Sequence, residues 1–204
     1  MTRLFIGLEL PQVAVEGLGR LRGGVDGARW QSDAQFHLTL RFIGEVAPGQ
    51  IPEIRSALAR IAFRAFRLEI EGLGIFGKPR KPRALWAGVR DPEPLRHLHE
   101  KIDRALMRAG IAPEEHKYRP HVTLARFRGR SDRLEHYLVD HQGFSLAPLR
   151  VEHFSLFSSH LGHEGAHYAV EDRFYASDAE AVEDPLDLSE IAPAEEADMD
   201  HERP

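Results

Sequence analysis

Two periodicities take turns along the chain. "RLFIGLEL" (residues 3–10) is an apolar, β-leaning run ended by Pro11, and "PQVAVEGLGRLRG" after it reads as a short helix with proline at its first position. "FHLTLRFIG" (36–44) is strand-like, and the next segment places Ile51, Ile54, Leu58 and Ile61 at helical spacing. Two more strand-like runs, "FRLEIEGLGIF" and "ALWAGV", flank the proline-rich basic stretch "GKPRKPR", which reads as a loop. In "PLRHLHEKIDRALMRAG" (94–110) Leu95, Leu98, Ile102, Leu106 and Ala109 share one helical face, and Gly110 is the expected stop. "RPHVTLARF" (119–127) returns to strand, and "SDRLEHYLVDH" reads as a short helix capped by Ser131 or Asp132. "LRVEHFSLFSSHL" and "YAVEDRFYA" finish as strands. The order is strand, helix, strand, helix, strand, strand, helix, strand, helix, strand, strand. Its two halves share one rhythm, which predicts an α+β fold built by internal duplication.

Composition adds limits. The chain has 204 residues, 42% of them apolar, which fits one ordinary domain or two small fused halves. It has no cysteine, so disulfide and thiolate chemistry are excluded and the cytosol is the expected compartment. The start, "MTRLFIGLELP", is too short and too acidic-flanked for a signal peptide. No apolar run approaches the roughly 20 residues of a membrane span. Charge is uneven. The chain carries −5 in all, but residues 177–204 carry eleven acidic side chains and one arginine, or −10, which leaves +5 on residues 1–176. The last segment has no aromatic residue and no periodicity and reads as a disordered acidic tail outside a folded unit of residues 1–176. A mildly basic body suits an anionic ligand.

One tetrapeptide occurs twice, as His37-Leu38-Thr39-Leu40 and His121-Val122-Thr123-Leu124, each in the corresponding strand of its half. Side chains of a strand alternate between faces, so each copy presents an imidazole and a hydroxyl side by side and sends the aliphatic residues to the core. One such pair in a strand carries little weight; two in equivalent strands, facing each other across a pseudo-two-fold axis, make an arrangement suited to in-line displacement at phosphorus. The attacking and leaving oxygens lie on opposite sides of the phosphorus. One histidine can take a proton on one side while the other gives a proton on the far side, with limbs of the pH profile expected near 6 to 8. The threonines can hydrogen-bond phosphoryl oxygens. Neither copy has the extra carboxylate or histidine of a hydrolytic zinc site, so no metal or cofactor is expected.

The segments "RLFIGLELP", "FHLTLRFIGEV", "GLGIFGKPRKPRALWAGV", "YRPHVTLARF" and "FSLFSSHLG", in that order, resemble the two-histidine phosphoesterases, and among them the RNA 2′,3′-cyclic phosphodiesterases, also called 2′–5′ RNA ligase-like proteins. The resemblance covers about residues 2–176. It implies a bilobal α+β duplication whose antiparallel sheets line a central cleft with helices outside. It also implies hydrolysis of a terminal 2′,3′-cyclic phosphate to a 2′-phosphomonoester, with His37 as proton donor and His121 as proton acceptor. Read in reverse, the reaction joins a cyclic phosphate end to a 5′-hydroxyl. The implied partners are RNA with a 2′,3′-cyclic phosphate end or small cyclic nucleotides. No membrane is involved, and a monomer is the expected state.

Arg41 lies on the nominal face of His37 and Thr39, and Arg126 lies just beyond the second motif; either guanidinium can pair with phosphate. "GKPRKPR" can follow an RNA backbone through charge. Trp30 and Trp86 can stack a base, although core packing is the more common use of tryptophan. "HEGAH", with His163, Glu164 and His167, matches the zinc-protease pattern, which works only on a helix. Gly162 and Gly165 and the strand-like flanks put it in a connecting loop, so a zinc hydrolase stands as an alternative from another class of chemistry. A non-catalytic RNA-binding module is a second.

Overall fold

A computed structural model of the chain describes residues 1–90, 93–114, 116–162 and 165–177. It contains strands β1 (Thr2–Glu9), β2 (Ala28–Trp30), β3 (His37–Val46), β4 (Phe66–Lys78), β5 (Lys81–Arg90), β6 (His121–Phe127), β7 (Leu149–Val151), β8 (His153–Gly162) and β9 (Gly165–Tyr175), and helices α1 (Gln12–Gly19), α2 (Ile51–Ala59), α3 (Glu93–Arg108) and α4 (Leu134–Asp140). All pairings are antiparallel, in the order β7-β4-β5-β6-β3-β1-β8-β9, with β2 alongside β6. The sheet is therefore two four-stranded lobes, β7-β4-β5-β6 and β3-β1-β8-β9. β3 and β6 meet at one pair, Leu38 with Val122. Beyond it the free edge of β6 is taken by β2, through Ala28, Arg29 and Trp30. The two motif strands thus touch at one point and then diverge, and the divergence opens a cleft on one face. The acidic tail expected from the sequence lies outside the described residues, apart from Ser177.

The lobes are not the two halves of the sequence. β4 belongs by chain order with β1 and β3 but pairs with β5; β8 belongs with β5 and β6 but pairs with β1. Each half contributes the strand or hairpin at its end to the other half's sheet. The register about Leu38 and Val122 carries the symmetry down to side chains. Both residues are fully buried, and the antiparallel register about them sets His37 across from Thr123 and Thr39 across from His121 on the opposite face.

Local chemistry accounts for most elements and corrects some expected ones. α3 buries Leu95, Leu98, Ile102 and Leu106, and Gly110 ends it at φ +78, a left-handed conformation that glycine adopts without strain. α4 begins at Leu134 behind Arg133, with no side-chain cap, so neither Ser131 nor Asp132 caps it. Pro11 is the residue before α1 rather than its first residue. "GKPRKPR" is not a loop but the end of the β4–β5 hairpin, with Lys78 paired to Lys81. At Gly7 a Cβ would lie 2.8 Å from the carbonyl oxygen of Leu38, so only glycine lets β1 approach β3 there.

Candidate active site

Both histidines are held in the same way. His37 Nδ1 lies 2.8 Å from the carbonyl oxygen of Gln35, and His121 Nδ1 lies 2.7 Å from that of Arg119. A carbonyl can only accept, so Nδ1 carries the hydrogen in each ring and Nε2 is the atom left for proton transfer. The partner is two residues back in both cases, so each strand's own backbone aims its imidazole. His37 Nε2 lies 3.1 Å from Thr39 Oγ1, which joins the two side chains of the first motif.

Aromatic rings wall each histidine. Phe5 and Tyr168 lie 4.9 Å from the His37 ring, Tyr168 edge-on, and Phe76 lies 4.8 Å from the His121 ring, also edge-on. This packing removes water from the imidazoles and opposes their charge. Burial, with repulsion from His121 and Arg126, pushes His37 down to about 4, and burial with Arg126 lowers His121. Burial raises the Tyr168 phenol and Arg126 opposes that rise, so one guanidinium acts on all three rings.

The cleft has two unlike arms. The arm beside His37, about 540 Å³, is lined by Arg3, Arg29, Arg126 and Arg128 together with Trp30 and Tyr168. The arm beside His121, about 570 Å³, is lined by Phe76, Trp86, Val89 and Tyr118, with Lys117 and Arg119 at its edge. Both tryptophans therefore line the cleft arms while staying partly buried. Sequence patterning did not point to Phe5, Phe76 or Tyr168, which come from strands remote in sequence.

His37, Thr39, His121, Thr123 and Arg126 share the cleft face. Arg41 does not, which corrects the reading from alternation. Opposite β1, Thr39 pairs with Gly7 and Arg41 with Ile6, so an extra residue is accommodated on β3 and the alternation changes phase. Arg41 turns into the protein, 4% exposed, and donates from Nε to Asp103 Oδ1 at 2.8 Å and from its terminal nitrogens to the carbonyls of Phe42 and Ala112. The exposed Phe42 takes the cleft position instead. β6 has the same irregularity, with Leu85 opposite Ala125 and Trp86 opposite Thr123. There it buries Ala125 and leaves Arg126 on the cleft face. One bulge, repeated in both halves, removes one arginine from the site and supplies the other.

Gly162 pairs with Gly165 at the ends of antiparallel β8 and β9, and His167 lies in β9 opposite His160, so the zinc-protease pattern is not framed by a helix. His163 and Glu164 lie outside the described residues. Among the described residues, no group of three or more His, Asp or Glu is placed to hold a metal ion.

The sequence profile of the LigT-like phosphoesterases matches this chain twice, over residues 8–86 and 88–168. The chain belongs to that family. The RNA 2′,3′-cyclic phosphodiesterase of Thermotoga maritima is 34% identical over 164 residues, covering 79% of this chain and 87% of that protein. The protein of the same name from Aeropyrum pernix is 46% identical over 98 residues, 48% of this chain and about half (56%) of its own length. Among solved structures, a Thermus thermophilus protein is 26% identical with a TM-score of 0.71, covering 85% of this chain and 97% of its own. Escherichia coli LigT, solved with 3′-AMP, has the same TM-score at 22% identity and shares the fold, over 86% of this chain and 98% of its own. These likenesses favour the phosphoesterase reading over the zinc alternative.

Proposed function

We propose that the protein opens terminal 2′,3′-cyclic phosphates of RNA to 2′-phosphomonoesters by acid–base catalysis between His37 and His121, without a metal. The observation that carries this is the pair of imidazoles, each presenting Nε2 on one face of the divergent strands β3 and β6, in a cleft whose cationic arm suits an RNA phosphate. The names of the relatives supply the substrate class.

In the forward reaction His121 Nε2 takes a proton from water as the water oxygen bonds to phosphorus. The P–O3′ bond breaks, and O3′ receives the proton held on His37 Nε2. Thr39, Thr123 and Arg126 hold the non-bridging oxygens, where charge accumulates. Turnover leaves the two protonation states exchanged, and solvent restores them. Burial holds His37 well below the usual histidine range; a bound phosphodiester, being an anion, favours the imidazolium that donation requires. The catalytic unit is residues 1–176, with the acidic segment 177–204 outside it, acting as a monomer in the cytoplasm. Run backwards, the same chemistry joins a cyclic phosphate end to a 5′-hydroxyl. Among the described residues no helix is long and apolar enough to cross a membrane.

The test is a short RNA ending in 2′,3′-cyclic phosphate, incubated with the protein in EDTA, with 2′- and 3′-phosphate products resolved. A 2′-phosphate product with chelator-insensitive rate is expected. A 3′-phosphate product, or loss of activity in EDTA, overturns the proposal.

A further inference from the structure

The chain leaves the sheet far from the cleft. β9 starts beside the cationic arm, where Ala166 and Tyr168 line the wall, and ends at Tyr175. At about 3.3 Å per residue, that run carries the chain roughly 30 Å away. There the Ala176 amide donates to the Glu152 carbonyl at 2.7 Å, and the Ser177 amide donates to the Phe63 carbonyl at 2.9 Å.

Phe63 follows directly on one wall of a groove between α2 and α3. The groove, about 390 Å³, has Ala57 and Ile61 in its floor and Arg60, Lys101, Arg104 and Arg108 on its rim. All four rim residues are exposed. Lys101 Nζ donates to the Ala62 carbonyl at 2.7 Å and Arg104 Nε to the Glu100 carbonyl at 3.2 Å. Among the described residues no carboxylate forms an ion pair with Arg60, Arg104 or Arg108. Four cations thus crowd a small apolar floor on the helical side of the molecule, one residue from the point where the chain departs.

What departs is complementary. Residues 178–191, "DAEAVEDPLDLSEI", hold six carboxylates and no cation, interleaved with Val182, Leu186, Leu188 and Ile191. We propose that residues 178–191 dock in the α2–α3 groove, carboxylates on the four cations and aliphatic side chains on the apolar floor. The tether begins beside the groove, so the effective concentration is in the millimolar range of a short linker and a weak contact suffices. The docked segment would cover a cationic surface that otherwise attracts RNA phosphates away from the cleft.

The absence of cysteine allows a clean test in the full chain. A nitroxide attached to Ser189→Cys broadens the amide signals of nearby residues. Broadening is expected in residues 57–62 and 101–108, and it should vanish between about 0.1 M and about 1 M salt, as the screening length falls from about 10 to about 3 Å. Arg104→Glu/Arg108→Glu should abolish it while the other amide signals stay in place, and adding Glu183→Lys/Asp184→Lys/Asp187→Lys should restore it. Extended, the acidic segment is long enough to reach the cleft, so broadening confined to Trp30, Arg126 and Arg128 would overturn the proposal in favour of that occupant. No broadening at low salt would overturn it, as would broadening of unlabelled chains mixed with labelled ones, which reports docking between copies. The readout involves no RNA, so its failure is separate from failure of the phosphodiesterase reading.

Discussion

Two arginines of the motif strands, Arg41 at the buried place that Ala125 fills in β6 and Arg126 at the cleft place that Phe42 fills in β3, should fail in opposite ways when truncated. Arg41 is 4% exposed, paired with Asp103 at 2.8 Å and bonded to two carbonyls. Arg41→Ala removes the cation and leaves Asp103, whose side chain is 26% exposed, beside an unfilled space. Breaking a buried ion pair destabilises by about 3–5 kcal/mol. Water can reach part of Asp103, so the low end applies, about 3 kcal/mol, or roughly 6–12 °C in Tm for a fold of this size. Arg126 is exposed on the cleft face, with no ion pair among the described residues, and its loss should shift stability by no more than about 0.5 kcal/mol. Its effect should fall on turnover, about 10²–10³ in kcat/KM if it stabilises phosphoryl oxygens in the transition state. Urea unfolding with unchanged m measures the first quantity, and kinetics on a cyclic-phosphate RNA below the unfolding midpoint measure the second. An Arg41→Ala protein with native Tm and lost turnover, or an Arg126→Ala protein with lost Tm and native turnover, would refute the assignment drawn from the bulges.

Both histidines are lowered, His37 to about 4, so the protonated form of the proposed donor His37 is depleted as pH rises above that value. Both limbs of kcat/KM should therefore lie below the ordinary histidine value of about 6.5, while kcat, which reports the complex with an anion bound, should shift upward. A kcat/KM profile with both limbs above 6.5 would contradict the burial argument. His37→Ala should lose about 10²–10⁴ on cyclic-phosphate RNA and far less on a p-nitrophenyl phosphodiester, whose leaving group needs no proton. His121→Ala should lose similar factors on both substrates, and the reverse pattern would exchange donor and acceptor. Gly7→Ala forces a Cβ to within 2.8 Å of the Leu38 carbonyl oxygen and should destabilise by about 1–3 kcal/mol, read from the urea midpoint.

The strands and helices were legible because each buries one side of a period-two or period-3.6 pattern, and Leu38, Leu40, Val122 and Leu124 are as buried as the alternation requires. The histidines and threonines were legible for the same reason, since the faces stay in phase up to Thr39 and Thr123. Phase was lost one residue later. A bulge depends on how a neighbouring strand crosses, here β1 at Gly7 and β5 at Trp86, and nothing in "HLTLRF" records that crossing. Arg41 was misplaced on this account, and Phe42 was overlooked. β2 escaped notice because three residues are too few to show a period. The rings around the histidines come from β1, β4 and β9, so they become neighbours only through tertiary pairing.

The exchange of β4 and β8 between the lobes has a consequence for how the molecule comes into being. The β7-β4-β5-β6 lobe is built from the continuous stretch 66–151, but the β3-β1-β8-β9 lobe cannot be completed until residues more than a hundred positions downstream of β1 arrive. Closure of so long a loop must precede the contacts that reward it, so the fold is of high contact order and slow to form. A nascent chain ending before β8 exposes the open edge of β1, a template for pairing with another chain. A single half, made twice as separate chains, could satisfy both edges only by trading last strands with its twin. The present chain has the connectivity of a strand-swapped homodimer whose two copies were joined head to tail, and the cleft is what lies on its dyad.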